Sequence, residues 1–446
     1  MSAGIRTAKH RPARDSGTIG VVLDTYRVIL AHPGAKAFAS AGLLSRLPIA
    51  MFNISLILMV QIQYHSYEIA GRAAAIGVLA WALQTVPTAR LTDRVGQRRA
   101  MVPLTVCFVV GASLSIWIAM STGPEWALWL AVALSSLSGP LGSLTRARWS
   151  HLLESDKDIH TAFALEGALD EVLFIGGPAL ATILATLVWA PLGVIVCVVG
   201  MGTGITILLA QRGTEPPPRK DTDGGSLGLR LPAAVVAVTF IAVGLGLMFG
   251  AFDISVVGFA DEQGHKTWAG VLIGIISAGS LVGGLFYGSR HWTTPLWKRT
   301  ILGTAALAVG FAAMSLSPNL PALALIGFVA GATIAPNLTN CDTVVQRVVG
   351  RNQITEGMAW LRIGVGIGVA IGAWMAGYLI ETSGARTGLY MAAGGAVLTL
   401  LIALATSRLL QTGTYREEPN AEVDAPAPFR HEADDFVEQP PTGPNL

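Results

Sequence analysis

Twelve apolar runs, each close to the 20 or so residues that a helix needs to cross a bilayer, leave this chain little choice of fold. Backbone N–H and C=O groups at membrane depth find no water, so each run has to close its hydrogen bonds internally as a helix. The runs fall at residues 36–63, 68–90, 101–121, 125–147, 160–188 and 189–211, then at 232–259, 267–289, 300–317, 320–345, 355–380 and 386–408. Only 13% of the residues are charged and 52% are hydrophobic, where a soluble domain carries about 25% charged residues. The expectation is an all-α membrane protein with twelve transmembrane helices in two pseudo-symmetric halves of six.

Polar segments complete the plan: an N-terminal arm (residues 1–35), a first half (36–211), a linker (212–231), a second half (232–408) and an acidic tail (409–446). The arm is too polar and too long before the first apolar run to be a secretory signal peptide. Residues 21–31 have the pattern of a short amphipathic surface helix. The linker holds Pro216, Pro217, Pro218, Gly224 and Gly225, a composition for a flexible or extended connection. The tail sets eight acids against Arg416 and Arg430 and is expected to be disordered.

Residues 89–99 read Ala-Arg-Leu-Thr-Asp-Arg-Val-Gly-Gln-Arg-Arg, four arginines and an aspartate between two apolar runs. Such a cluster has to stand in water while its neighbours cross. Threading the chain from there puts 25 of the 30 Lys and Arg residues on one side, with the arm, linker and tail. The other side holds Lys266 and Arg386, and Arg46, Arg72 and Arg362 fall inside runs. The positive-inside rule then makes the crowded side, with both termini, cytoplasmic.

The halves repeat each other. Phe52-Asn53-Ile54-Ser55 in the first run returns as Phe252-Asp253-Ile254-Ser255 in the seventh, Pro140 as Pro336, and Ala164-Leu165-Glu166 as Trp360-Leu361-Arg362. Matches in corresponding runs argue for duplication, and for a substrate path between the halves near the bilayer midplane.

An ionisable group at that depth needs a partner, water or a task. Glu166 and Asp170 in the fifth run are four apart and share a helix face, with Glu171 turned about 100° away. Three readings stand: Asp170 and Glu171, with Glu166 behind them, carry protons; or they pair with arginines, Glu166 with Arg146 or Arg148 and one of the others with Arg46; or they are simply exposed. Asp253 in the seventh run has Asn53 where its repeat partner would be. It is a candidate for substrate contact, for proton carriage, or for pairing with a buried base. Arg46 is either a holder of anionic cargo or an internal counter-ion, Arg362 a partner for a salt bridge between halves, and Arg72 close enough to the membrane edge to snorkel. Cys107, Cys197 and Cys341 lie in apolar runs without a CxxC pattern, so neither disulfide nor metal is expected. Gly364, Gly368 and Gly372 read as a helix-packing stripe. With no nucleophile–base pair and no phosphate loop, an enzyme is not expected.

The stretch at 89–98 resembles the signature of the major facilitator superfamily between its second and third spans, Gly-x-Leu-x-Asp-Arg-x-Gly-Arg-Lys/Arg. Leu91, Asp93, Arg94, Gly96 and Arg98 match, while Ala89 and Gln97 replace the first Gly and an Arg. The corresponding turn after Gly284 is degenerate, with Gly288 in the aspartate position. Ser45-Arg46-Leu47-Pro48-Ile49 and the Leu165 to Pro178 region resemble bacterial twelve-span members, and the likeness covers residues 21–408. It implies that Asp93, Arg94, Gly96 and Arg98 form a conformational latch against span 11, with Arg362 as a candidate partner. It also implies that the first and seventh spans line the cavity, so that Asn53 and Asp253 face substrate. Gly176-Gly177-Pro178 partly resembles a drug–proton antiporter signature, but residues 135–142 lack the arginine that antiporters of the family often carry in span 4.

The resulting expectation is a secondary active transporter of the bacterial cytoplasmic membrane working by alternating access. Proton-coupled export of a small drug-like or amphipathic compound stands first. Uptake or facilitated passage of a polar metabolite is the alternative, and a non-transporting membrane receptor or assembly protein a third. The expected partners are a small-molecule substrate and lipid, with no nucleic acid, the protein acting as a monomer and the proton gradient replacing any cofactor.

Overall fold

The computed structural model describes residues 27–218, 232–288, 290, 292–349 and 354–415, and all its regular structure there is helical. Most of the expected arm, the linker from residue 219 and the tail from residue 416 lie outside the described residues.

The first pass is built from α1 (Ala35–Ser45) and α2 (Leu47–Tyr64), meeting at Arg46 with Pro48 in the first turn of α2. Then follow α3 (Tyr67–Val95) and α4 (Gln97–Met120); a divided fourth pass, α5 (Glu125–Ser135) and α6 (Leu141–Leu152); α7 (Asp156–Ile183), which ends in a π-helical turn at Leu184–Val188; and α8 (Leu192–Ala210). The second half repeats the order with α9 (Ala233–Glu262), α10 (Ala269–Gly288), α11 (Leu296–Ser315), a divided tenth pass of α12 (Leu320–Gly331) and α13 (Ile334–Val348), α14 (Ile354–Ser383) and α15 (Ala385–Ala405). Ten passes are long and apolar enough to span by themselves. The other two are the divided fourth pass and α11, whose 20 residues reach about 30 Å.

Besides the breaks in the first and tenth passes, two local features depart from the sequence expectation. The fourth pass was expected to be continuous; it breaks at residues 136–140, where Gly139 takes φ +73° and Pro140 has no N–H to continue the helix. A side chain at Gly139 would meet the Met101 Sδ at 2.8 Å, so both the backbone angle and the space call for glycine. Residues 409–415, expected to begin the disordered tail, belong to a further helix, α16 (Ser407–Tyr415), whose Leu410 is buried.

Small residues let the helices close on one another, because without water a membrane bundle is held by backbone approach and packing. The Gly364, Gly368 and Gly372 stripe lies against α9 at Thr239, Val243 and Leu247. Between the halves α3 packs on α14, and α7 on α10. A Cβ on Gly71 would meet the Ala373 carbonyl at 2.5 Å, one on Gly377 would meet the Tyr67 carbonyl at 2.5 Å, and one on Gly274 the Ile175 carbonyl at 2.7 Å. Gly71 and Gly377 stand at the ends of α3 and α14 farthest from the basic turn. The halves are therefore closed on the face opposite that turn.

Candidate functional site

A cavity of about 360 Å³ lies between the halves. The first pass contributes Phe52 and Asn53, α3 contributes Trp81, α4 Phe108, α7 Phe174, and α9 Phe249 and Asp253; residues at the break of the fourth pass and in α14 complete the wall. Ile49, Trp81 and Phe174 in this lining are 41%, 39% and 42% exposed, so the cavity is open and not sealed. The aromatic side chains are held in place by the wall itself, Phe52 and Phe108 having ring centroids 5.5 Å apart.

The structure brings together the two repeat-related residues. Asn53 Nδ2 donates to Asp253 Oδ2 at 3.3 Å, across the boundary between halves. Asp253 is half-buried, lines the cavity, and takes part in no salt bridge among the described residues. Among the described residues no Lys, Arg or His lines the cavity. Asp253 is therefore the single charged side chain that the described residues place on its wall.

The fifth-pass acids sit elsewhere. Arg46, fully buried at the break of the first pass, forms ion pairs with both Glu166 and Asp170, the latter at 2.7 Å. Asp170 also accepts from Arg146 at 2.9 Å. The remaining oxygen of Glu166 accepts from Trp149 Nε1 at 2.8 Å, and Thr145 donates to the same carboxyl at 3.2 Å. This network pins the first pass, α6 and α7 together inside one half. Two arginines against two carboxylates also leave it without net charge. Arg46 does not line the cavity, and its partners are carboxylates, not cargo; Glu166 meets Arg46 instead of the Arg146 or Arg148 expected from its position. Glu171 is half-buried beside Asp170 and in no ion pair among the described residues.

The basic turn is compact for reasons that can be followed residue by residue. Gly96, at φ +90°, ends α3 and starts α4. Gln97, standing where the family signature has Arg, is buried; it donates to the Leu144 carbonyl at 3.1 Å and accepts from Arg148 Nε at 2.9 Å. Arg148 in turn donates to Thr214 Oγ1 at 2.7 Å and to the Gln211 carbonyl at 3.0 Å. The Arg98 backbone N–H donates to Glu215 at 2.9 Å. Asp93, Arg94 and the Arg98 side chain are exposed. Arg362 is exposed on α14, within electrostatic reach of Asp342 in its own half.

Sequence reasoning missed the closure on the opposite face. Glu381 at the end of α14 accepts from the backbone N–H of Tyr67 at 2.7 Å and from Ser66 Oγ at 3.3 Å. A carboxylate of one half thus caps the positive N-terminus of a helix of the other. The Tyr67 hydroxyl donates to Asp261 at 2.6 Å, Lys266 donates to Asp261 at 3.1 Å and to Gln61, and Thr186 and Thr267 lie 3.2 Å apart. The available signal was Lys266, one of only two cations on that side. Arg72, expected to snorkel, pairs with Glu68 and with Glu125 at 3.0 Å.

Comparison with known proteins follows the same lines. The family model described as Major Facilitator Superfamily matches residues 38–317 and 296–440. The MFS-type transporter y4rN of Sinorhizobium fredii is 25% identical over 406 residues, covering 86% of this chain and 96% of its own. The enterobactin exporter EntS of Shigella boydii is 27% identical over 193 residues, 42% of this chain and 45% of its own. Among solved structures, the nucleoside transporter NupG aligns over 83% of this chain and 99% of its own with a TM-score of 0.65 at 14% identity. A bacterial homologue of the iron transporter ferroportin, in an inward-facing state, aligns over 84% and 98% with a TM-score of 0.64 at 12% identity. At those identities the solved structures speak for the fold alone. With twelve passes in two halves, a cavity between them and a family model matching nearly the whole length, the chain belongs to the Major Facilitator Superfamily.

Proposed function

We propose that this transporter exports a small amphipathic compound from the cytoplasm in exchange for protons, with Asp253 as the group that alternates between the two. The observation that carries the reading is the position of Asp253: a carboxylate on an otherwise uncharged, aromatic wall, with an amide but no cation beside it among the described residues. A carboxylate held at membrane depth has to be matched by a proton or by a ligand. In alternating access, cargo entering from one side displaces the proton that arrived from the other, which couples the two fluxes. The span 5 acids suit this task less well, because Glu166 and Asp170 are already matched by Arg46 and Arg146.

Direction is supported by two features. The charge asymmetry of the sequence makes the basic face cytoplasmic, and the face that is closed is then the outer one. That conformer opens its site to the cytoplasm, the side from which an exporter loads. The partial likeness to an exporter points the same way.

Everted membrane vesicles test the reading, since their interior corresponds to the outside of the cell. Energised vesicles are expected to accumulate a lipophilic fluorescent compound, to release it when a protonophore is added, and to lose this behaviour in Asp253→Asn. Accumulation confined to right-side-out vesicles would reverse the direction and make the protein an uptake system.

A further inference from the structure

We infer that the cargo is a lipophilic organic cation carrying one positive charge, bound with its charge on Asp253 and its rings among the aromatic side chains of the wall. The inference rests on the transport reading above and narrows it to a substrate class.

Three features of the cavity select that class. The charge balance comes first: Asp253 is the only charged residue in the lining among the described residues, and Arg46 and Arg146 of the same half are bound to Glu166 and Asp170. An anion entering the cavity would meet a carboxylate and find no base. A cation would find its charge matched in a site where the low dielectric makes such a pair strong.

The second feature is the wall. Phe52, Phe108, Phe174, Phe249 and Trp81, from five different passes, line the same cavity as the carboxylate. Aromatic faces carry partial negative charge and attract cations, more strongly where water is excluded. They also provide apolar area that a small hydrated ion such as Na⁺ does not use, whereas a cation with its charge embedded in hydrocarbon uses both.

The third is the direction of the hydrogen bonds. The one hydroxyl proton of Ser136 is shared between the carbonyls of Gly77 and Val132, both 2.9 Å from its Oγ, and Ser135 Oγ donates to the Val132 carbonyl at 2.7 Å. Their protons are occupied by the backbone, which leaves lone pairs for a ligand. Asn53 gives one amide N–H to Asp253 and retains its carbonyl oxygen and its second N–H. The polar part of the cavity thus offers lone pairs beside the carboxylate, which an ammonium or phosphonium tolerates, and its remaining donors, on Asn53, Ser138 and Trp81, are neutral and supply no counter-charge for an anion. With about 360 Å³ available, the space suits a compound of a few rings.

The test uses the purified full-length protein in detergent, without any gradient, so its outcome does not depend on transport or its direction. Isothermal titration compares tetraphenylphosphonium with tetraphenylborate, two ions of nearly the same shape and opposite charge. The wild type is expected to bind the phosphonium at least tenfold more tightly. Asp253→Asn should erase that preference, Asp253→Glu should retain it, and Trp81→Ala should weaken phosphonium binding severalfold. Equal or tighter binding of the borate by the wild type would overturn the inference even if no variant folds. An unchanged preference in Asp253→Asn would overturn it as well. Selective phosphonium binding without any proton-driven movement in vesicles would uphold the site and refute the export reading. Proton-driven export of neutral or anionic compounds, with no preference for the phosphonium, would do the reverse.

Discussion

At the scale of single residues, burial separates charges that hold the fold from a charge free to act. Arg46 and Glu166 have no exposed side-chain surface, and each satisfies the other. Arg46→Met would leave Glu166 buried without its counter-charge, and breaking such a pair from one side costs about 3–5 kcal/mol. The expected result is a clear fall in melting temperature in detergent, while Glu171→Gln, which breaks no ion pair among the described residues, stays close to wild type. Equal melting of the two variants would mean that the network does not stabilise the fold. The sequence shows that Glu166, Asp170 and Arg46 are costly at membrane depth, and its repeat aligns Asn53 with Asp253. Which acid belongs to which arginine was not legible, because the bend at Arg46 decides where its guanidinium reaches. The role of Gln97 was hidden too: as a departure from the family pattern it reads as a loss, yet it is the buried link between Leu144 and Arg148.

At the scale of helices, the contact of α3 with α14 depends on the absence of side chains. Gly71 and Gly377 face each other's backbone so closely that any Cβ has to push the helices apart. Gly71→Leu is expected to hold the far face open. The measurement is the rate at which an impermeant maleimide labels an Asn53→Cys variant from outside the cell, which should rise several-fold when the Gly71 substitution is added. No change in rate would mean that the contact does not control access. The number of passes and their helical character were legible because each run is predominantly apolar over about the length a bilayer requires. The divided fourth pass was less so: Gly139 and Pro140 stand in an apolar window, and only the packing of Gly139 on Met101 shows that the break is required.

At the scale of the whole molecule, alternating access requires a closure strong enough to hold one state and weak enough to release it. The far face meets both demands with a few polar contacts: Glu381 on the N-terminus of α3, Tyr67 on Asp261, and Lys266 between Asp261 and Gln61. A hydrogen bond to a charged group contributes about 1.5–3 kcal/mol. Losing the one from Tyr67 therefore shifts the balance between closed and open far face by about tenfold or more, since about 1.4 kcal/mol is a factor of ten. Tyr67→Phe should accordingly enlarge the open population seen by electron–electron distance measurements between labels on the far ends of α3 and α14. An unchanged distance distribution would remove Tyr67 from the closure. The contacts that cross between halves join residues 194 to 314 positions apart, and apart from Lys266 each residue alone reads as an ordinary surface polar group, so the sequence did not reveal the pairings.

The central claim is that Asp253, and not the span 5 acids, exchanges protons for cargo. A pH-sensitive dye in proteoliposomes tests it most directly, with a chemically broad panel of lipophilic compounds applied to wild type, Asp253→Asn and Glu171→Gln. The account predicts compound-evoked proton movement in wild type and in Glu171→Gln, and none in Asp253→Asn. Proton movement that persists in Asp253→Asn and vanishes in Glu171→Gln would contradict it and return the coupling site to the fifth pass.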